Sequence, residues 1–365
     1  MRNVKDICLI TILCLSAEGK RVATNTMVTK YGKPLQMRQI NRNLDEIKKL
    51  IDSARQKSDQ CYVPPVEGST PRCRICGSEN AEPFVSVWGK YHYYECGNCG
   101  SVFLYNLPDV KKLYTGHETA NGKHLIDDTV FEQRVNMISA PKVQFVLEIC
   151  EKAKIPVSQW LDVGCGGGEI LRCLQTTNIR AFGIDSDEDE IDFATKKGLD
   201  VINCYIDIED DNPKINKLIQ ESDVISILNV IEHIVEPAPF VKYIIHNMKP
   251  GAVLAFEVPR HPSMASFGNM TCNYAVYRHM VSPIHLQIFS DKSLKYLLGD
   301  ECEIIGRWDF GQGYTDLLNN AMLLSGRQEC SLYVDLLNLS NKIQPIIDEA
   351  GFADQMLVVA QKATR

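Results

Sequence analysis

Between Trp160 and Glu169 the chain reads Trp-Leu-Asp-Val-Gly-Cys-Gly-Gly-Gly-Glu, and a second apolar run closes on Gly183-Ile184-Asp185. An apolar strand that enters a bare-backbone turn, then a helix, then a second strand ending in an acid, is how an α/β sheet holds a nucleoside-containing cofactor. Glycine lets the backbone approach such a ligand closely, and the terminal acid accepts hydrogen bonds from ribose hydroxyls. The dinucleotide fingerprint Gly-x-Gly-x-x-Gly, counted from Gly164 and Gly166, requires a third glycine where Glu169 stands. The pattern present is instead Asp-x-Gly-x-Gly-x-Gly, from Asp162 to Gly168.

That spacing resembles motif I of class I S-adenosylmethionine-dependent methyltransferases. Their cofactor has no pyrophosphate to seat on a helix N-terminus, so an acid such as Glu169 can open the helix and favour its positive dipole end. Downstream the alternation continues. Strands are predicted at 159–163, 181–184, 201–206, 223–228 and 252–258, with helices at 169–175, 188–197 and 237–247 between them. Two final strands are predicted at 302–308 and 355–360, around a helical insertion at 314–350. Such βα alternation specifies an α/β, Rossmann-like, mostly parallel sheet with helices on both faces.

The resemblance sharpens after the fourth and fifth strands. Asn229-x-x-Glu232-His233, the Lys249-Pro250-Gly251 turn, Glu257-Val258-Pro259 and His285-Leu286-x-x-Phe289-Ser290 look like the group of these enzymes that includes ubiquinone-pathway and sugar-modifying members. Carried over position by position, it implies that Asp162, Gly164, Gly166, Gly168 and Asp185 hold the cofactor. It also implies that Asp207 contacts the adenine amino group and that Asn229 lines the methionine side.

A second signal precedes this domain. Cys73-x-x-Cys76 and Cys96-x-x-Cys99 stand nineteen residues apart, with Gly77, Gly97 and Gly100 beside them. Two such pairs on tight knuckles, joined by a hairpin, have the spacing of a tetrahedral four-thiolate zinc site, with a redox pair or two disulfides as the competing readings. Four thiolates leave no open coordination position, so this zinc is expected to be structural. The other cysteines of the fourteen, Cys8, Cys14, Cys150 and Cys173 among them, sit in apolar runs and read as free thiols in a reducing cytoplasm. Trp88, Tyr91, His92, Tyr93 and Tyr94 lie between the pairs, where alternation predicts hairpin packing.

A four-cysteine unit ahead of such a domain is similar to sugar C-methyltransferases acting on nucleotide-linked deoxysugars. In that subfamily a histidine matching His233 and a Tyr-x-Glu-His cluster supply acid and base groups. This chain keeps His285 but has Ser282 and Ile284 where the tyrosine and glutamate would stand, and it lacks the subfamily's long carboxy-terminal domain. His233 and His285 are the candidate bases for taking a proton from the methyl acceptor.

Three units follow: an N-terminal extension over 1–63, a zinc ribbon over 64–110, and a methyltransferase domain over 111–365 with an insertion at 259–290. In the extension, the apolar run 7–15 imitates a signal peptide but is read as a buried strand, because Asp6 weakens the basic lead and an exported protein would lose a cofactor made inside cells. An amphipathic helix is predicted over 39–56. No run approaches the roughly 20 apolar residues of a membrane span. A net charge of −7 argues against nucleic acid as the partner. The reading is a cytoplasmic methyltransferase acting on a small molecule, with a sugar, nucleotide-sugar or polysaccharide intermediate as the acceptor class. Two alternatives stand beside it: an RNA or protein methyltransferase whose zinc unit reads the macromolecule through a positive cleft at Arg72, Arg74 and Lys90, or a non-catalytic cofactor-binding partner.

Overall fold

The computed structural model describes residues 8–9, 27–33, 43–114, 128–210, 212–272 and 283–364. In chain order its strands are β1 (Cys8–Leu9), β2 (Val28–Tyr31), β3 (Ala81–Val87), β4 (Tyr91–Cys96), β5 (Val102–Leu104), β6 (Gln159–Val163), β7 (Arg180–Asp185), β8 (Val201–Asn203), β9 (Val224–Leu228), β10 (Val253–Pro259), β11 (Gln287–Ile288), β12 (Cys302–Phe310) and β13 (Gln355–Lys362).

Nine strands form one sheet in the order β1-β2-β12-β13-β10-β9-β6-β7-β8. From β8 to β10 neighbouring strands are parallel, and β13 inserts antiparallel between β10 and β12. The chain leaves β6 toward β7 and β8, then returns to place β9 on the other side of β6. This reversal of strand order opens a crevice at the carboxyl ends of β6 and β9, the place where α/β sheets bind ligands. Strands β6, β9 and β10 are apolar and almost wholly buried, because helices cover both faces. The fold is the Rossmann-like α/β class expected.

Most predicted elements recur, with shifted ends. The third strand ends at Asn203 rather than residue 206. The amphipathic helix runs Leu44–Cys61 and not 39–56, because Asn43 and Glu46 form a reciprocal capping box that fixes its start. It packs within the chain against the four-cysteine unit, where Tyr91 Oη donates to the Ser58 carbonyl at 2.7 Å. Of the apolar run 7–15, only Cys8–Leu9 lies among the described residues, and it pairs with β2. Strand β2 was not anticipated. It runs parallel to β12 and so joins part of the N-terminal extension to the main sheet.

The four-cysteine unit is a second sheet, β11-β5-β4-β3. Trp88 and Gly89 both have positive φ and turn the chain in the three-residue link Trp88–Lys90 from β3 to β4, and Tyr91 and Tyr93 are buried in the hairpin as the alternation requires. Its fourth strand, β11, comes from the 259–290 insertion, far along the sequence from β5. The helical insertion is three helices, Gly313–Ser325, Ser331–Asn338 and Ser340–Ile347. Among the described residues no helix is long and apolar enough to cross a membrane.

Candidate active site

A cavity of about 350 Å³ opens at the strand-order reversal. Its floor is Asp162 and the turn Gly164–Gly167, and one side is Leu228, Asn229 and Glu257 from the ends of β9 and β10. The glycines divide by role. Gly164, Gly166 and Gly168 all have positive φ. A Cβ at Gly164 would fall 2.3 Å from Val230, and one at Gly168 would fall 2.4 Å from Leu199, so both sites also require glycine for packing. A Cβ at Gly166 would meet nothing nearer than 4.0 Å, because that residue faces the open cavity.

Asp162 lies beneath the turn and is buried, accepting a hydrogen bond from Ser226, whose oxygen accepts from Trp160 Nε1 at 2.7 Å. Burial pushes the Asp162 carboxyl up to about 7, opposed by the serine hydrogen bond. Asp185, at the end of β7, holds the turn in place: its carboxylate accepts from the Gly166 N–H at 2.8 Å and from the Asp187 N–H at 2.9 Å. Each oxygen keeps a further lone-pair direction for a ligand. Asp207 lies further out, exposed beyond β8, and caps the Glu209 N–H at 2.9 Å. Asn229 lies on the cavity wall at φ 55°.

Sequence reasoning missed the opposite wall. A π-helical turn at Val135–Ser139 leads into the helix Ala140–Lys152 and brings Arg134, Ser139 and Lys142 to the cavity. Such turns recur at functional sites because they re-aim a helix face. Arg134 and Ser139 both bind Glu169, at 2.5 and 2.9 Å, and Lys142 pairs with Glu257 at 2.5 Å. The far end is aromatic, with Trp308 and Phe310 from β12, and β2 leads directly to Lys33 beside them. The segment before Pro141 lacks a clear apolar period, and Lys33 owes its place to a strand pairing remote in sequence. Glu190 was missed as well: its Oε2 is buried without a hydrogen-bond partner among the described residues, and a Cβ at Gly167 would come within 3.0 Å of it.

The two candidate histidines come together outside this cavity wall. Their rings are 5.0 Å apart, edge to face. His233 lies in the short turn Ile231–His233 after β9, and its Nδ1 is 2.9 Å from the Ile284 carbonyl. A carbonyl can only accept, so a neutral ring carries its proton on Nδ1, and the Asn229 carbonyl is a second backbone partner of the ring. Burial holds the His233 pKa below the ordinary value. The residue at 284, where the resembling subfamily has a glutamate, therefore contributes its backbone rather than its side chain. Ser282, where that subfamily has its tyrosine, lies outside the described residues.

Glu232 completes the cluster, its ligand atoms and those of His233 and His285 lying within 4.8 Å of one another. Its carboxyl is fully buried, with neither oxygen hydrogen-bonded among the described residues, and burial raises its pKa to about 8. The folded chain thus holds this proton more tightly than the unfolded chain, where glutamate titrates near 4.3. The stabilising difference is complete below about 4.3 and is lost as pH rises to about 8. The variant Glu232→Gln should therefore gain stability over the parent across that window, by up to roughly 5 kcal/mol. Urea unfolding at pH 5 and pH 8 measures this, and an equal difference at both pH values would contradict it.

The four cysteines also meet. Cys73 Sγ lies 3.6 Å from Cys99 Sγ, Cys76 Sγ lies 3.5 Å from Cys96 Sγ, and all four fall within 4.8 Å of one another. A tetrahedron with metal–sulfur bonds near 2.3 Å has sulfur–sulfur edges of roughly 3.8 Å. A disulfide would bring two sulfurs to about 2.05 Å. The two knuckles are alike: Gly77 N–H donates to the Cys73 carbonyl and Gly100 N–H to the Cys96 carbonyl, each at 2.8 Å and each at positive φ.

Residues 133–300 match the family model of a methyltransferase domain. A ubiquinone biosynthesis O-methyltransferase from Hahella chejuensis is 28% identical over 35% of this chain and 55% of its own length. One from Methylococcus capsulatus is 33% identical over 27% of this chain and 41% of its own. The chain thus spans about half the length of the curated relatives it matches. Among solved structures, a SAM-dependent methyltransferase from Archaeoglobus fulgidus is similar over 64% of this chain and 99% of its own, with 18% identity and a TM-score of 0.39. The plantazolicin methyltransferase BpumL in complex with SAH covers 70% and 93%, with 15% identity and a TM-score of 0.41. Residues 133–300 are thus similar to a methyltransferase domain.

Proposed function

We propose that this chain, built around its methyltransferase domain, transfers a methyl group from S-adenosylmethionine to a small molecule. The observation that carries the reading is the open cavity over Gly166, placed where the strand order reverses and lined by Asp162, Gly164, Gly166 and Asn229 of the motif residues. Asp162, Gly164, Gly166, Gly168, Asp185, Asp207 and Asn229 would hold the cofactor, and the glycine turn supplies the side-chain-free surface that it needs. When bound, the cofactor supplies an electrophilic methyl group on a sulfonium.

The chain's own part is positioning and proton removal. Asp185 fixes the turn through the Gly166 N–H. The Lys142–Glu257 pair neutralises a carboxylate at the cavity wall. His233, neutral and with its Nε2 lone pair held by the tautomer, takes the acceptor's proton, and His285 beside it is the second base of the pair. The four cysteines hold a structural zinc ion, for which their sulfur spacing fits.

A small-molecule acceptor is supported by the named role of the relatives in ubiquinone biosynthesis. It is also supported by the fate of the basic residues that a macromolecule-reading ribbon would present. Arg74 pairs with Glu236 at 3.4 Å, Lys90 with Asp59 at 2.6 Å, and Arg72 donates to the Gly77 carbonyl. Within small molecules, the ribbon and the retained histidines favour a sugar or polysaccharide intermediate, and dependence on an intracellular cofactor favours the cytoplasm.

Incubation with methyl-labelled cofactor and fractionated cell metabolites should label a low-molecular-weight product, and His233→Ala should reduce that labelling about 10²-fold or more. Label entering RNA or protein instead would overturn the acceptor class. If His233→Ala also removes a second metal ion per chain, the cluster with Glu232 is a metal site and the base assignment fails.

A further inference from the structure

The four-cysteine unit and the histidine pair are joined through one strand. On one side of β11, Gln287 and Ile288 pair with Phe103 and Val102 of β5, and the Leu104 N–H donates to the Leu286 carbonyl at 2.8 Å. On the other side, the Leu286 N–H donates to the Glu232 carbonyl at 2.8 Å, and the Gln287 amide donates to the Ile234 carbonyl. The segment 284–290 is thus stitched between the ribbon and the turn that carries His233.

Its two ends are held as well. Ahead of the strand, Tyr93 Oη in β4 donates to the His285 carbonyl at 2.9 Å, and the neighbouring Ile284 carbonyl faces His233 Nδ1. Behind it, the Ser290 hydroxyl donates to the carbonyl of Cys99, one of the four cysteines. Tyr93 is only 1% exposed, so its hydroxyl is aimed by the hairpin core rather than by solvent. The glycine turn is anchored elsewhere, by β7 through Asp185 and the Ile184 carbonyl.

We propose that the four-cysteine unit is a positioning element for the histidine pair, with Tyr93 as its positioning residue. The folded ribbon sets the path of 284–290, and that path places the His285 backbone and the Ile284 carbonyl that fixes the His233 tautomer. Metal occupancy at the cysteines then governs the acid/base site and leaves the cofactor end intact. The meaning of the pair as bases rests on the methyltransferase reading; the mechanical coupling does not.

The test is hydrogen–deuterium exchange on the full chain, compared between the zinc-loaded parent, the parent stripped by a chelator, and zinc-loaded Tyr93→Phe. That substitution keeps the buried ring and removes only the hydroxyl. A lost hydrogen bond of this kind should raise exchange in 284–290 by roughly 5- to 10-fold. Stripping should raise it further and extend the change to 231–235, with 159–168 unchanged in both. S-adenosylhomocysteine affinity should move by less than about threefold, and ¹⁵N imidazole spectra of Tyr93→Phe should show His233 losing its single tautomer. Protection of 284–290 that survives both stripping and Tyr93→Phe, with an unchanged His233 spectrum, would overturn the proposal. Failure of the parent to bind S-adenosylhomocysteine would overturn the methyltransferase reading instead, and the exchange result would still decide the coupling.

Discussion

Replacing Cys73 and Cys96 together by serine should lower zinc from about one ion per chain to near zero and unfold the ribbon. The size of the effect follows from what four metal–sulfur bonds contribute. The hairpin packs through Tyr91, Tyr93, Val102 and Leu104, while the knuckles are short turns closed at Gly77 and Gly100 whose Cys73, Ile75, Cys96 and Cys99 meet the main core. Structural zinc contributes roughly 10–16 kcal/mol in zinc-finger peptides, as much as a whole domain's typical margin of about 5–15 kcal/mol. Near-ultraviolet circular dichroism should lose the signal of the buried hairpin tyrosines, and metal analysis should report the lost ion. Because the glycine turn is anchored by β7, through Asp185 and the Ile184 carbonyl, S-adenosylhomocysteine should still bind the double variant. Stoichiometric disulfides in the parent, or a fully folded ribbon without metal, would rule out the zinc assignment.

How far the sequence alone reached follows from which interactions are local. Strands β6, β9 and β10 were legible because each is a short apolar run bounded by turn residues, and the helix over 237–247 recurs with identical ends because Pro237 opens it and the Pro250–Gly251 turn follows it. The motif residues were legible because their spacing is local: Asp162 to Gly168 is one turn. The four cysteines could be paired by spacing for the same reason. What escaped was assembled from distant segments. Strand β2 is four residues long and pairs with β12, so nothing near it in sequence announces it. Strand β11 is two residues long and completes a sheet begun at residue 81. The π-helical turn that brings Arg134 and Ser139 to the cavity is an irregularity of hydrogen bonding, which side-chain periodicity does not encode. The division at residues 63 and 110 followed composition, whereas the sheets cross both boundaries.

The second large effect concerns Asp185, and it bears on the claim that the cavity over the glycine turn is the cofactor site. In Asp185→Ala the Gly166 and Asp187 N–H groups lose their acceptor, and the ribose hydroxyls of a bound cofactor would lose theirs. Hydrogen bonds to a charged group contribute about 1.5–3 kcal/mol each, so two of them correspond to roughly 10²-fold or more in affinity. Zinc content should be unchanged, which separates a lost site from a lost fold. The decisive measurement is isothermal titration of S-adenosylhomocysteine into the parent and into Asp185→Ala. Saturable binding at one site per chain in the parent, weakened by at least about 10²-fold in the variant, is the expected result. Equal affinity in the two proteins would contradict the cofactor site, and no binding to the parent would contradict the methyltransferase reading itself.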